Sequence, residues 1–133
     1  MATECEIRPA RAEDGAGLLS LIQAHAEFEG GRASISEKQL DALLAASSPP
    51  TTILLASGRE ALLGYAAVTV DYALWRAHRW GHLDCLFVHS HHRGQSIGRL
   101  LLDAAARLAS RLGADRMEWQ TPDWNVRAAA FYA

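Results

Sequence analysis

Residues 83–99 read LDCLFVHSHHRGQSIGR, an apolar segment followed by a polar loop and the start of an amphipathic segment. The pattern predicts a strand over 82–88 and a helix from about 97 to 112, because apolar residues recur there at helical spacing. The first amides of a helix have no acceptor within it, and the helix dipole is positive at that end. Gly94 and Gly98 leave room for close approach of a ligand. This stretch therefore predicts an anion cradle suited to a pyrophosphate.

Two other phosphate-binding motifs do not fit the sequence. No Gly-Lys-Ser/Thr follows the loop, as a nucleoside triphosphatase would require, and there is no G-x-G-x-x-G of a dinucleotide fold. The remaining alternative is an ordinary strand-to-helix loop, since glycine-containing turns before helices are common. The loop alone does not decide between the two, so other residues must.

Length and charge exclude several classes of protein. The 133 residues, half of them apolar and 21% charged, predict one compact domain spanning 1–133. A chain of this length buries roughly two thirds of its unfolded surface, so it needs neither disulfides nor a structural metal. Thirteen Lys and Arg against fifteen Asp and Glu give a net charge of −2. We therefore expect no binding to nucleic acid and no attraction to an anionic membrane.

The start of the chain and its cysteines indicate a compartment. Charged side chains interrupt the first twenty residues, and no apolar run reaches the length of a membrane span. Cys5 and Cys85 are too few for a disulfide scaffold or a zinc site. We therefore expect a cytosolic protein with both thiols reduced.

The rest of the pattern predicts a mixed order of strands and helices. A strand is predicted over 4–8, followed by a helix with an apolar face that ends near Phe28. A second, short helix is predicted to begin at Ser36, where Ser36 and Gln39 would form a capping box. β-Branched and apolar residues predict an antiparallel hairpin of Thr51–Ala56 with Ala61–Tyr72. Gly113 is expected to end the helix that starts near 97. A strand at Arg116–Gln120 and a helix over Asn125–Tyr132 complete the prediction.

Two separate motifs resemble the GNAT superfamily of N-acetyltransferases. RGQSIG at 93–98, after LFV at 86–88, resembles its acetyl-CoA signature R/Q-x-x-G-x-G/A, and NVRAAAFY at 125–132 resembles its N-x-x-A-x-x-F-Y segment. Three further segments are similar to the spermidine/spermine (diamine) acetyltransferase branch: EFE at 27–29, YALW at 72–75 and LDCLFV at 83–88. The resemblance spans nearly the whole chain. It implies a GNAT-like α/β fold, a mixed and mostly antiparallel sheet flanked by helices.

The resemblance also implies a set of site residues. The catalytic residues would be Asp84 and Tyr132. The residues that bind acetyl-CoA would be Leu86, Phe87, Val88, Arg93, Gly94, Gln95, Ser96, Ile97, Gly98, Arg99, Asn125 and Ala128. No metal ion is expected to take part. Those binding the acceptor would be Phe28, Glu29, Asp84, Glu118, Trp119 and Gln120.

The implied reaction explains these roles. An amine with a pKa of about 10.4 is protonated at pH 7, and exposing its lone pair costs roughly 4.6 kcal/mol. Asp84 would attract the cation and accept its proton, directly or through water. Tyr132 would protonate the departing coenzyme sulfur, and the amides of Phe87 and Val88 would polarise the thioester carbonyl.

The chain departs from the family pattern at three places. Ser96 stands where the signature has Gly, so its Cβ narrows the cradle while its hydroxyl is a new donor. Asp84 and Cys85 stand where the branch has Glu followed by Asp, which removes one carboxylate. Family members continue past the Phe-Tyr segment into two further strands, so the chain ending at Ala133 is expected to be C-terminally truncated. Its sheet would lack an edge, or a partner in a homodimer would supply one.

Each site residue also has a simpler interpretation. Tyr132 would be a core aromatic, and Asp84 a solvated strand residue. Cys85 is either a core residue or a nucleophile that forms an acetyl-enzyme. His89, His91 and His92 either line the loop and attract phosphate or bind a metal. Four tryptophans either fill the core and its rims or wall an acceptor cleft: Trp75, Trp80, Trp119 and Trp124.

The sequence therefore predicts an enzyme that transfers acetyl from acetyl-CoA to a primary amine of a small polyamine, a diamine or a lysine-like acceptor. One alternative is an inactive coenzyme-binding module that acts through a partner protein. Another is a structural subunit that does neither.

Overall fold

The computed structural model describes residues 5–89 and 96–119. In chain order the elements are β1 (Glu6–Pro9), a 3-10 turn (Ala12–Asp14), α1 (Gly15–Phe28), α2 (Glu37–Ala45), β2 (Thr52–Ser57), β3 (Leu62–Ala73), β4 (His78–Val88), α3 (Ile97–Arg111) and β5 (Ala114–Trp119). The helix predicted over Asn125–Tyr132 lies outside the described residues.

The described strands form one sheet in the order β1-β2-β3-β4-β5. The first four strands pair antiparallel, whereas β5 pairs parallel with β4 because α3 carries the chain back between them. The predicted hairpin is present as β2 and β3, and the predicted fold class, a mixed and mostly antiparallel sheet flanked by helices, is confirmed.

The sheet is covered on both faces. On one face, Leu101 and Ala105 of α3 pack against Ala66, Val68 and other sheet residues. On the other face, Leu18 and Leu21 of α1 and Leu40 of α2 pack against the opposite side of the same strands. Gly64 of β3 is needed for this packing, because an added Cβ would lie 2.6 Å from the carbonyl oxygen of Phe87 and 3.2 Å from Leu101.

The helix ends follow local sequence signals. Ser36 Oγ accepts from the Gln39 amide at 3.1 Å, and Gln39 Oε1 accepts from the Ser36 amide at 2.9 Å, so the predicted capping box is confirmed. Gly113 follows α3 with a φ of 93°, the left-handed conformation expected of a glycine there. Gly30 does the same for α1, with a φ of 79°.

Some predicted boundaries were wrong. β4 begins at His78 rather than 82, because its polar first half still pairs with β3 as far as the turn after Ala73. β5 begins at Ala114 rather than 116, directly after the helix cap. Trp75 neither fills the core nor walls a cleft, since it lies on that turn with 99% of its surface exposed.

Candidate active site

Asp84 lies at a break in the pairing of the two longest strands. Cys85 pairs with Ala67 and Leu83 pairs with Val68, so Asp84 has no partner on β3. Such a β-bulge redirects one side chain and is common beside functional sites. Leu83 packs towards α3 and Cys85 towards α1, while Asp84 is exposed. The bulge therefore presents a carboxylate from a strand that is otherwise well packed.

A cavity of about 640 Å³ opens beside Asp84. Its wall contains three carboxylates and one imidazole from three adjacent strands, and its lining residues are Thr69, Asp71, His82, Leu83, Asp84, Met117 and Glu118. His82 pairs with Glu118 across β4 and β5, so these two side chains share one face of the sheet. An added Cβ at the neighbouring Gly81 would meet Ala109 of α3, which places His82 and Glu118 on the face opposite α3.

The charges in the cavity favour a cation. His82 Nε2 lies 3.0 Å from Asp71 Oδ2, and Arg116 Nη1 lies 3.6 Å from Glu118 Oε1. In the described part of the chain, no basic side chain forms an ion pair with Asp84. A cationic ligand would therefore be drawn to Asp84, whose charge these residues leave unneutralised.

Behind Asp84, polar side chains from α1 and the sheet are joined by hydrogen bonds. His25 Nδ1 lies 2.6 Å from the Tyr65 hydroxyl, and His25 Nε2 lies 3.5 Å from Glu29 Oε2. The Tyr65 hydroxyl and the Cys85 thiol belong to the same cluster under α1, and each contributes to the shifted pKa of the other. The thiol donates to Asp84 Oδ2 at 3.5 Å. Glu29 and Asp84, both predicted from the resemblance, are thus the two ends of one connected network.

Burial decides the protonation of this network. It is the main cause that raises the pKa of Cys85 to about 12, with the charge of Asp84 second. Burial also raises the pKa of Tyr65, whose surface is 3% exposed. A thiol with so high a pKa is a poor nucleophile at neutral pH. The structure therefore favours the interpretation of Cys85 as a packed thiol over that of an acetyl-enzyme nucleophile.

Aromatic rings cover the network at the end of α1. The Phe87 ring stacks on His25 with centroids 4.9 Å apart, and Phe28 tilts against Phe87 at 6.2 Å. Phe28 keeps 42% of its surface exposed. Phe28 thus contacts Phe87, and Glu29 contacts His25, whereas Glu118 lines the cavity together with Asp84.

The predicted coenzyme-binding residues on α3 begin at Ser96. Ser96 precedes the helix with a φ of 65°, in the left-handed region that favours glycine. The Leu100 amide makes the first helical bond, to Ser96 O at 3.1 Å, so the amides of Ile97, Gly98 and Arg99 have no acceptor within the helix. The Arg99 side chain points along the helix to Asp103, at 3.4 Å.

The remaining predicted residues lie at the end of β4, at the end of β5, or outside the described residues. Leu86, Phe87 and Val88 form the end of β4, where Phe87 is buried against α1 while Leu86 and Val88 pack towards α3. Trp119 is the last described residue, and its backbone pairs with Leu83. Seven predicted site residues lie outside the described ranges: Arg93, Gly94, Gln95, Gln120, Asn125, Ala128 and Tyr132.

Sequence reasoning missed four titratable residues of this region. Asp71 and His82 line the cavity, and His25 and Tyr65 complete the network behind it. A signal was available for Asp71, because Thr69 and Asp71 alternate with Val68 and Val70 and indicate a polar face near the end of β3. No local signal joins His25 to Tyr65, which lie 40 positions apart in the sequence.

Two negative findings apply to residues 5–89 and 96–119. No three His, Cys, Asp or Glu side chains in those ranges are grouped so that they would hold a metal ion. No helix in them is both long enough and apolar enough to cross a membrane.

Comparison with known proteins agrees with this architecture. Residues 18–133 match the model of the acetyltransferase (GNAT) family. The thialysine N-epsilon-acetyltransferase of Bos taurus is 30% identical over an alignment that covers 95% of this chain and 79% of that protein. The L-ornithine N5-acetyltransferase of Arabidopsis thaliana is 35% identical, over 52% of this chain and 30% of that protein.

Solved structures have the same fold. A probable acetyltransferase superposes with a TM-score of 0.82 and 26% identity, covering 96% of this chain and 86% of the other. An aminoglycoside acetyltransferase from an uncultured soil metagenomic sample superposes with a TM-score of 0.80 and 20% identity, covering 96% and 84%. By the match of its sequence and by its fold, the chain belongs to the GNAT family of acetyltransferases.

Proposed function

We propose that this protein transfers the acetyl group of acetyl-CoA to a primary amine of a small acceptor that carries a second positive charge, such as a diamine, a polyamine or a lysine-like amino acid. The observation that carries this proposal is the β-bulge at Asp84. It directs the Asp84 carboxylate towards a cavity whose wall also contains the carboxylates of Asp71 and Glu118. Asp84 has no ion pair among the described residues and would attract the reacting ammonium, while Asp71, whose partner is an imidazole, lies further along the wall for a second positive charge.

The start of α3 is suited to the coenzyme. The amides of Ile97, Gly98 and Arg99 and the positive end of a 15-residue helix would hold the pyrophosphate of acetyl-CoA. The end of β4 at Phe87 and Val88 would lie along the thioester. Acetyl-CoA supplies the activated acetyl group, and the residues of this chain supply its orientation and the proton transfers.

The reaction balances with two side chains. The acceptor ammonium gives a proton to Asp84, and the freed lone pair attacks the thioester carbonyl carbon, so that a C–N bond forms and the C–S bond breaks. The nitrogen loses two protons in total. One proton leaves through Asp84 to solvent. The other returns to Tyr132 and replaces the proton that Tyr132 gives to the coenzyme sulfur.

The similar proteins support the class of acceptor. The names of the bovine and plant relatives give thialysine and L-ornithine as acceptors of those enzymes. Both compounds carry a side-chain amine together with an α-amino group. The cavity volume of about 640 Å³ is ample for molecules of that size.

The test is release of free thiol from acetyl-CoA with a panel of thialysine, ornithine, linear diamines and simple monoamines. We expect turnover with the dications, and a loss of kcat of about a hundredfold or more in Asp84→Asn, the range for a general base. Asp115→Asn is the matched control, because Asp115 is an exposed carboxylate on β5 that pairs with His78. Coenzyme binding by calorimetry without turnover on any amine would instead support the inactive module.

A further inference from the structure

Polar contacts between α1 and the sheet form a chain that ends at the proposed base, with hydrogen bonds at His25–Tyr65 and Cys85–Asp84 and an electrostatic contact between Tyr65 and Cys85. The order is Glu29, His25, Tyr65, Cys85 and Asp84, with His25 2.6 Å from the tyrosine oxygen and the thiol 3.5 Å from the carboxylate. Its members come from α1, β3 and β4. No assigned role in the reaction accounts for the three middle residues.

Two members of this chain, Tyr65 and Cys85, each have a single proton on the polar atom of the side chain. The Tyr65 hydroxyl and the Cys85 thiol both stay protonated at neutral pH because burial disfavours their anions. A hydroxyl or thiol with a single proton donates to one neighbour at a time. The direction in which these two protons point therefore depends on their neighbours, and His25 is the neighbour of Tyr65 whose Nδ1 either donates or accepts according to the protonation of the ring.

The two protonation states of His25 give two arrangements. In the doubly protonated ring, Nε2–H faces Glu29 and Nδ1–H donates to Tyr65, so that the hydroxyl donates to Cys85 and the thiol to Asp84. In the neutral ring with its proton on Nε2, Nδ1 accepts from Tyr65. The hydroxyl then no longer donates to Cys85, and the thiol proton is shared between the Tyr65 oxygen and Asp84.

We propose that His25, Tyr65 and Cys85 are positioning residues that set how strongly Asp84 accepts the amine proton, and that protonation of His25 weakens Asp84 as a base. A donor to a carboxylate stabilises its charged form and so reduces its affinity for a proton. The proposal rests on the proposed role of Asp84 in acetyl transfer.

Charged and polar groups from three elements lie around His25. Among the titratable groups that face it are Glu29 from its own helix and Tyr65 from β3, with Cys85 and Asp84 of β4 beyond the tyrosine. Phe87 covers the ring face, and the side chain is 14% exposed. A change in its charge therefore reaches Asp84 through Tyr65 and Cys85 more effectively than through water.

The kinetic test compares pH profiles of kcat at saturating amine. The ratio of variant to wild-type kcat is plotted against pH, so that titration of the acceptor cancels. For Tyr65→Phe and for Cys85→Ala, we expect this ratio to change by about threefold across the pH range in which a histidine titrates. Cys85→Ser keeps a donor and is expected to keep a flat ratio. A flat ratio for Tyr65→Phe and Cys85→Ala would overturn the proposal.

Matched controls separate the chain from general damage. Tyr72→Phe removes an exposed hydroxyl, and Cys5→Ser changes the thiol that packs on the opposite face of the sheet. Both are expected to give flat ratios. Thermal unfolding of each variant establishes that it is folded. If Tyr65→Phe does not fold, the pH dependence of the kcat ratio is compared between Cys85→Ala and Cys85→Ser instead.

A second readout needs no turnover. The pKa of His25 is measured by NMR titration of its ring nitrogens in the wild type and in Asp84→Asn, and again in both with Tyr65→Phe added. We expect Asp84→Asn to lower the pKa of His25, because a negative charge is removed, and to lower it much less when Tyr65 is Phe. An equal effect in the two backgrounds would refute coupling through the chain. Failure of the proposed function appears separately, as undiminished turnover in Asp84→Asn.

Discussion

At the scale of single residues, Ser96 combines a strained backbone with a place in the proposed coenzyme cradle. Its φ of 65° costs an L-residue about 1 kcal/mol, which glycine avoids. We expect Ser96→Gly to stabilise the protein by up to about 0.5 kcal/mol, after the greater flexibility of unfolded glycine is subtracted. We also expect a lower KM for acetyl-CoA, because the Cβ no longer narrows the cradle.

Denaturant unfolding and acetyl-CoA kinetics check this prediction. Ser20→Gly is the matched control, because Ser20 is exposed within α1 and its backbone is helical. There the same substitution is expected to destabilise the protein by about 0.5 kcal/mol. A similar loss of stability at Ser96 would mean that the conformation before α3 is not strained.

Asp71 is the cavity residue whose change should separate one class of acceptor from another. It pairs with His82 at the far end of the cavity wall from the proposed reaction. We expect Asp71→Asn to raise the KM for diamines about two- to fivefold, the worth of an exposed ion pair, and to leave kcat unchanged. Monoamines should show no such change in KM, and an equal increase for both kinds of amine would contradict a role in binding the second charge.

At the scale of elements, β1 is joined to the start of α1 by a buried ion pair. Arg8 donates to Asp14 through two nitrogens, at 2.8 and 2.9 Å, and the Arg11 amide also donates to Asp14 at 2.6 Å. These bonds, led by those from Arg8, lower the pKa of Asp14 below its ordinary value. We expect Asp14→Asn to cost about 3 kcal/mol of unfolding free energy at pH 7.

The pH dependence of that cost has a definite sign. Because the pKa of Asp14 is lower in the folded than in the unfolded protein, its contribution is complete above the unfolded value near 4 and is lost as pH falls through the folded value. Urea unfolding at pH 7, 5 and 3 should show the gap between wild type and Asp14→Asn closing only at acid pH. Glu6→Gln is the control, because Glu6 is exposed and 3.9 Å from Arg8, and should change stability by less than about 0.5 kcal/mol.

Local patterns predicted the elements better than their arrangement. The spacing of Ile97, Leu101 and Ala105 and the box of Ser36 with Gln39 act within a few residues, so sequence alone located α3 and the start of α2. The bulge at Asp84 depends on how β4 is registered against β3, and a register shift has no local signature. The resemblance identified Asp84, but pairing across the sheet was needed to explain why its side chain reaches the cavity.

At the scale of the whole molecule, coenzyme binding should stabilise the fold because the cradle links two parts of the core. The start of α3 packs through Ile97, which is 1% exposed, and the adjoining end of β4 packs through Phe87. A ligand at one hundred times its Kd adds about 2.7 kcal/mol to the stability of the folded state. For a domain of this size, that raises Tm by roughly 8 to 12 °C.

Differential scanning fluorimetry tests which part of the coenzyme the protein binds. The three ligands compared are acetyl-CoA, coenzyme A and S-acetyl-N-acetylcysteamine. The small thioester carries the acetyl and sulfur end but no pyrophosphate, so it should leave Tm unchanged at the concentration at which acetyl-CoA raises it. Coenzyme A, which keeps the pyrophosphate and lacks the acetyl group, should raise Tm nearly as much as acetyl-CoA. If the small thioester alone produced the full shift, binding would lie at the reacting end, and the amides at the start of α3 would not be the principal grip on the coenzyme.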